Sequence, residues 1–219
     1  MVEWKYQRYM KDYLTTTMSL DRNIGRILDY LDKNKLTENT IVIYTSDQGF
    51  YMGEHGWFDK RFMYEESMHM PLVMRYPGVI KPGTTINDMV VNIDFTPTFE
   101  AIAGAKIPAD IQGKSILPLL KGDNKNWRKS TYYHYYEFPA EHSVMKHFGI
   151  RTSRYKLIRF YTGKDFWELY DLQTDPHEMK NLYGEKQYES LTIQLKNELK
   201  SLIKEYKDDE AMKIMDAGL

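Results

Sequence analysis

The run TIVIYTSDQG, residues 40–49, decides how the rest of the chain is interpreted. From Ile41 to Tyr44 the residues are apolar without a polar alternation, which is typical of a strand covered on both faces, as in a parallel sheet flanked by helices. Asp47 and Gln48 follow where this strand ends. Ligands of open α/β sheets bind beyond the carboxyl ends of the strands, so the run predicts a strand followed by a binding turn.

The side chains after this strand suit a metal cation and an anion held together. Asp47 and Gln48 offer a carboxylate and an amide oxygen, which are ligands that calcium and magnesium prefer. Lys60 can neutralise an anionic group bound to such a metal. His55 can donate to an anion or transfer a proton. An isolated Asp-Gln-Gly is more often a turn or a helix cap, so the interpretation depends on the whole set.

The order and spacing of four motifs resemble the sulfatase family, the branch of the alkaline-phosphatase superfamily that hydrolyses sulfate esters. They are SDQG at 46–49, GEHG at 53–56, Lys60 and MPLV at 70–73. Together they match the second half of a sulfatase catalytic domain. The resemblance implies an α/β fold: part of an alkaline-phosphatase-like sheet flanked by helices, followed by a small antiparallel sheet packed with a long helix.

The resemblance also assigns roles to individual residues. Asp47 and Gln48 would be two ligands of the active-site calcium ion, although many family members carry Asn or His in place of Gln48. Lys60 would be a catalytic residue that contacts the sulfate group, and His55 would lie at or near the sulfate pocket. His147, in the carboxyl-terminal part, is a further candidate for contact with the substrate.

Local patterns predict the remaining elements. A helix is expected over residues 5–33 from apolar residues at three- and four-residue spacing. Short strands are expected at 71–76 and 89–91, and a second helix from Asn92 or Asp94 to Gly104. Aromatic and β-branched runs with short turns predict four antiparallel strands between residues 131 and 170. The last helix is expected over 187–207, followed by a frayed tail.

The domain organisation predicted from these elements has two parts. Residues 1–122 would form the carboxyl-terminal part of the sulfatase catalytic α/β domain. Residues 123–219 would form a small subdomain of antiparallel strands and a helix. LYDL at 169–172 and DPHE at 175–178 match the corresponding subdomain of sulfatases.

The nucleophile of the family has no counterpart in this sequence. Sulfatases use a formylglycine made from Cys or Ser in a Cys/Ser-x-Pro-x-Arg motif, and the chain has neither a cysteine nor that motif. Two oxygen ligands are also too few for calcium, which takes about six to eight. We therefore expect this sequence to be a fragment whose partner is the missing amino-terminal half, and we expect the isolated chain to be inactive.

Composition narrows the classes of function. Hydrophobic residues make up 42% and charged residues 28% of the 219, and the net charge is -1. This balance describes a soluble globular protein and gives no basic surface for nucleic acid. No apolar stretch approaches the about 20 residues that span a membrane, and the first residues do not form a signal peptide. The family resemblance implies a periplasmic or secreted location.

Two alternatives to a sulfatase stay open. One is a phosphatase or phosphodiesterase of the same superfamily, whose metal sites use histidines for zinc or manganese; Gln48 favours a single hard cation instead. The other is a non-catalytic remnant. For a sulfatase, we expect a sulfated small molecule or glycan as substrate, with a sulfated sugar favoured over choline or aryl sulfates.

Overall fold

A computed structural model describes the protein from Val2 to Ala217. The chain divides into two compact units. The first contains the residues up to Tyr44 together with Val73–Thr84, and the second contains Thr45–Leu72 together with the residues from Thr85 onward. The predicted boundary at residue 122 lies inside the second unit and stays a prediction. No helix within residues 2–217 is long and apolar enough to cross a membrane.

The first unit is built on a long helix and a two-stranded sheet. Helix α1 spans Val2–Lys33, close to the predicted range. Strand β1, Val42–Thr45, pairs with β2, Leu72–Arg75. The prediction that this strand would be covered on both faces is wrong for the described residues, because none of β1 is buried and Tyr44 is 40% exposed. A strand in a two-stranded sheet lacks the neighbours that would cover it.

Short helices precede the main sheet of the second unit. Helix α2 spans Glu65–Met68, α3 spans Phe95–Ala103 and α4 spans Leu117–Leu120. A strand at 89–91 is not formed. The reason is that side chains take up its backbone groups: the Met89 carbonyl accepts from Trp127 Nε1 at 2.7 Å, and the Val91 N–H donates to Asp94 Oδ2 at 2.9 Å.

Four antiparallel strands form the main sheet, in the order in which they occur along the chain. Strand β3 pairs with β4 through Tyr132 and Ile150, β4 with β5 through Ile150 and Leu157, and β5 with β6 through Leu157 and Leu169. Short turns between successive strands favour this meander. The four predicted antiparallel strands are thus confirmed, as β3 Ser130–Tyr135, β4 His147–Thr152, β5 Tyr155–Phe160 and β6 Phe166–Asp171.

The two faces of this sheet are covered differently. Helix α5, Glu189–Glu205, buries Leu195, Leu199 and Ile203 against one face. The loop that runs from Tyr51 to Tyr64 covers the other face, where a second apolar cluster forms. Because side chains alternate along a strand, β5 sends Leu157 to the helix and Ile158 to the loop.

The carboxyl-terminal tail forms a helix up to Asp216, so the prediction that the tail is frayed is wrong for the described residues. Helix α6 spans Asp209–Asp216, and its N-cap residue Asp208 accepts from the Ala211 N–H at 2.9 Å. Ala211 is fully buried in the core beneath α5. The cap and the burial of Ala211 stabilise this helix. The charged sequence of the tail gave no local indication of it.

Candidate active site

The turn after β1 is held tightly against helix α2. Ser46 Oγ donates to the Gln48 carbonyl at 2.9 Å, and the Gly49 N–H donates to the Ser67 carbonyl at 2.7 Å. A Cβ at Gly49 would lie 2.0 Å from the Glu66 carbonyl oxygen. Only glycine permits so close an approach of two backbones, so the turn and α2 are fixed to each other at this position.

Three of the predicted site residues lie together in this turn and the loop that follows. With its amide oxygen facing the ammonium, Gln48 accepts from Lys60 Nζ at 2.7 Å and donates to the Lys60 carbonyl at 3.3 Å. We prefer this amide orientation because the opposite one points amide hydrogens at an ammonium. The amide oxygen that accepts from Lys60 Nζ lies 3.4 Å from Asp47 Oδ2. Asp47 is exposed, whereas Gln48 and Lys60 are half-buried.

This donor set fits part of a calcium site. Oxygens bound at right angles to one calcium ion at about 2.4 Å lie about 3.4 Å apart, which matches the spacing between the amide and carboxylate oxygens of Gln48 and Asp47. Among the residues that the structure describes, no group of three or more His, Cys, Asp or Glu side chains could hold a metal ion. Asp47 and Gln48 would supply two of the ligands, and a calcium ion would need further oxygens from elsewhere.

The structure turns His55 toward an aromatic and acidic pocket. Its ring stacks on Tyr64 at 4.4 Å and meets the edge of Tyr51 at 6.0 Å. His55 Nε2 lies 3.5 Å from Glu66 Oε2, and neither atom has a hydrogen-bond partner within the described part of the chain. His55 also has a positive φ of 53° between two glycines. Its proposed catalytic role stays a prediction.

His147 is fully buried, and both of its ring nitrogens are used by the backbone. Nδ1 lies 2.8 Å from the Met145 carbonyl, and Nε2 accepts from the Met63 N–H at 3.2 Å. Burial lowers the pKa of His147 to about 4, so the ring is neutral at pH 7 with its proton on Nδ1. In this arrangement His147 anchors the loop that follows Lys60, and contact with a substrate stays a prediction.

A cleft of about 550 Å³ opens beside the turn. Asp47 and Gln48 line it on one side, and Tyr132, Tyr136 and Tyr206 contribute aromatic rings elsewhere on its wall. Lys60, His55 and His147 are not among its lining residues. The two predicted metal ligands thus face open space.

The sequence interpretation missed an ionic cluster that flanks Lys60. Asp59 pairs with Arg61, and His142 Nδ1 lies 3.3 Å from Asp59 Oδ2. Both carboxylate and guanidinium can bind sugar hydroxyls. The triplet DKR at 59–61 was a local signal for two of these residues, whereas only the tertiary fold brings in His142.

Comparison with known proteins identifies the family. A sequence model described as "N-sulphoglucosamine sulphohydrolase, C-terminal" matches residues 53–205. An N-acetylglucosamine-6-O-sulfatase of Bacteroides thetaiotaomicron is 53% identical over 213 residues, which cover 96% of this chain and 38% of that protein. The chain belongs to the sulfatase family. It spans about two-fifths of the length of that relative.

Solved structures give the same sulfatase fold. One, described as a complex with the substrate D-glucosamine-2-N,6-O-disulfate, has a TM-score of 0.91 and 54% identity over 94% of this chain and 42% of its own length. The phosphonate monoester hydrolase of Agrobacterium radiobacter has a TM-score of 0.76 and 26% identity, over 85% of this chain and 39% of its own. The predicted alkaline-phosphatase-like fold is confirmed by these neighbours.

Proposed function

We propose that this chain is the carboxyl-terminal part of a sulfatase that removes the 6-O-sulfate of N-acetylglucosamine or a closely related sulfated amino sugar. The observation that carries the proposal is the contact between Lys60 Nζ and the Gln48 amide oxygen, beside the Asp47 carboxylate. The 53% identity to an N-acetylglucosamine-6-O-sulfatase supports the choice of substrate.

The chain would contribute charge stabilisation to the reaction. Asp47 and Gln48 would hold a calcium ion, which when bound supplies a Lewis acid for the sulfate oxygens. Lys60 would place its ammonium against another sulfate oxygen, where negative charge develops in the transition state. Asp59 and Arg61, which flank Lys60 in sequence, are suited to hydrogen-bond the hydroxyls of the sugar.

The remaining machinery would come from an amino-terminal partner region. Its formylglycine would supply the nucleophile, and its carboxylates would complete the calcium site. Two observations support such a partner: the chain spans 38% of the 6-O-sulfatase relative, and helix α1 exposes a series of large apolar side chains. A periplasmic or secreted location is proposed from the family alone.

The experiment that tests this proposal uses the complete protein, meaning the product of the full reading frame that contains this chain. Incubated with N-acetylglucosamine-6-sulfate and calcium, it is expected to release inorganic sulfate. The frame is expected to encode a Cys- or Ser-x-Pro-x-Arg motif upstream. A frame without that motif, whose product releases no sulfate, would contradict the proposal.

A phosphonate or phosphate monoesterase is the second candidate, supported by the similarity to the phosphonate monoester hydrolase. Gln48 weighs against it, because an amide oxygen is a poor ligand for zinc compared with histidine nitrogen. Hydrolysis of a phosphonate monoester at a rate above sulfate release would favour this candidate.

A further inference from the structure

The loop that follows Lys60 is attached to the four-stranded sheet by a series of polar contacts. Tyr133 donates to the Arg61 carbonyl at 2.8 Å, and Tyr64 donates to Glu168 Oε2 at 2.8 Å. With the Met63 N–H bonded to His147 Nε2, three positions along the loop bond to the sheet. The loop therefore takes its position from the carboxyl-terminal sheet.

A fully buried cation lies at the end of this series. Lys156, on β5, has no exposed surface, and its Nζ lies 3.0 Å from Glu65 Oε1 and 2.7 Å from Glu178 Oε1. Glu178 is also buried and accepts from the Glu65 N–H at 2.6 Å through its other oxygen. Arg151 binds the Glu65 carboxylate with two nitrogens, at 3.2 and 3.0 Å. Side chains from β4, β5 and the segment after β6 thus converge on the first residue of α2.

The charges in this cluster favour one arrangement of α2. Burial alone would raise the pKa of Glu65, but the hydrogen bonds from Arg151 and the charge of Lys156 lower it to about 2, so Glu65 is ionised at pH 7. Burial raises the pKa of Glu178 to about 7, against the opposing charge of Lys156. An ammonium without exposed surface needs a carboxylate partner, and Glu65 provides one only when α2 lies where it does.

Helix α2 in turn contacts the turn that contains Asp47 and Gln48, the predicted metal ligands. Its Ser67 carbonyl accepts the Gly49 N–H at 2.7 Å, and its backbone at Glu66 leaves no room for a side chain at Gly49. We propose that Lys156, through Glu65 and α2, is a positioning residue for the site formed by Asp47, Gln48 and Lys60. The catalytic consequence of this proposal rests on the proposed sulfatase function, whereas the structural consequence does not.

The structural consequence is tested on the 219-residue chain by amide hydrogen exchange, followed by NMR. Lys156→Met keeps the length and volume of the side chain and removes its charge. The Gly49 N–H is then expected to exchange about tenfold faster or more, relative to the Leu182 N–H. Leu182 is a suitable reference because it is buried and donates to the Leu169 carbonyl at 2.9 Å, at the edge of the sheet.

Arg159→Met is the matched control. Arg159 is a second buried cation on β5, but it points to the opposite face, where it binds Asp165 at 2.7 Å and the Ile214 carbonyl at 2.8 Å. Its loss is expected to lower stability without changing the ratio of Gly49 to Leu182 exchange. Equal ratios in the Lys156→Met and Arg159→Met chains would overturn the proposal, because Lys156 would then stabilise the fold without positioning the turn.

Glu178→Gln serves as a second variant, in case Lys156→Met does not fold. The amide oxygen can still accept the Glu65 N–H, while Lys156 loses one of its two carboxylate partners. A smaller increase in the exchange ratio, about threefold, is expected. An unchanged ratio in this variant would also overturn the proposal.

The catalytic consequence is measured in the complete protein at saturating calcium. Lys156→Met is expected to lower kcat for sulfate release about tenfold to a hundredfold with a smaller change in KM, whereas Arg159→Met is expected to leave both within about twofold at temperatures where it is folded. An unchanged kcat in Lys156→Met would overturn the proposed effect on catalysis. If the unaltered complete protein releases no sulfate, the proposed function fails and the exchange measurement alone decides the positioning proposal.

Discussion

Helices α1 and α5 have similar amphipathic patterns and very different surroundings. Helix α5 buries Leu195, Leu199 and Ile203 on the face that its sequence predicts. Helix α1 has no buried residue among positions 3–33, and its exposed side chains include Trp4 at 69% and Met18 at 65%. An apolar periodicity predicts that a helix has a face to bury, but the partner must be supplied by other residues.

The contrast between α1 and α5 distinguishes a region whose apolar core is covered by this chain's own residues from a helix whose apolar face is left exposed. The four-stranded sheet has helices on one face and the loop from Tyr51 to Tyr64 on the other, so its core is covered on both sides. The turn at Asp47 and Gln48 belongs to this compact unit and is bonded to α2 through the Gly49 N–H and the Ser67 carbonyl. The predictions that follow test whether the site behaves as part of the covered region and whether α1 behaves as an exposed helix.

The largest effect is expected from Lys60→Ala in the complete protein. In the proposed function Lys60 faces the developing negative charge, so its removal is expected to lower kcat about 10²- to 10³-fold for release of sulfate from N-acetylglucosamine-6-sulfate. Lys129→Ala removes an exposed cation of the same unit and is expected to leave kcat unchanged. Equal activity in the two variants would remove Lys60 from the active site.

Gly49→Ala tests the rigidity of the turn. Because the new methyl group would meet the Glu66 carbonyl oxygen at 2.0 Å, the backbone must shift, at a cost of about 3 kcal/mol in the free energy of unfolding. Urea unfolding of the 219-residue chain measures this cost. A stability equal to that of the unaltered chain would show that the turn is not held against α2.

The burial of His147 makes the stability of the folded chain depend on pH. The pKa of His147 is about 4 when folded, below its value of 6.5 in the unfolded chain. As the pH falls through this interval, the unfolded chain binds a proton that the folded chain does not. The contribution of His147 to stability is therefore complete above pH 6.5 and falls by about 3 kcal/mol toward pH 4.

The comparison that isolates this contribution is with His147→Gln, which can accept the Met63 N–H and does not titrate. The stability difference between the two chains, measured by urea unfolding, is expected to shrink by about 3 kcal/mol between about pH 7 and about pH 4. A difference that stays constant with pH would mean that His147 is accessible to water.

Gly25→Ala in α1 provides the smallest effect and the opposite sign. A Cβ at this position meets no atom within 4 Å, and alanine is more favourable than glycine in a helix interior by about 1 kcal/mol. The substitution is expected to increase helical circular dichroism and not to destabilise the chain. A loss of stability would place another part of the chain against α1 at Gly25.

Local signals predicted most of the fold. The strands of the main sheet follow from β-branched and aromatic runs between short turns, and α1 and α5 follow from their periodicity. The prediction of a strand at 89–91 was wrong because the side chains of Trp127 and Asp94 hydrogen-bond to the backbone of this segment. The prediction of a frayed tail was wrong because the tail forms a helix that depends on one cap and on Ala211, and Ala211 is buried only in the tertiary core.

For the candidate site, the sequence predicted the residues that lie close together along the chain but not the contacts between residues far apart in sequence. Asp47, Gln48 and Lys60 lie in one local segment, so their proximity followed from a motif. The contacts from His142 to Asp59 and from Lys156 to Glu65 join residues far apart in the sequence. No local pattern indicates such pairs, because the sheet that brings them together forms from the whole carboxyl-terminal part.

Calorimetric titration of calcium into the complete protein tests most directly whether Asp47 and Gln48 form a metal site. The unaltered protein and Lys129→Ala are expected to bind one calcium ion per chain, and Asp47→Ala is expected to bind it at least about a hundredfold more weakly, because a charged ligand is lost. Calcium binding of equal affinity in Asp47→Ala, or no binding in the unaltered protein, would contradict the account.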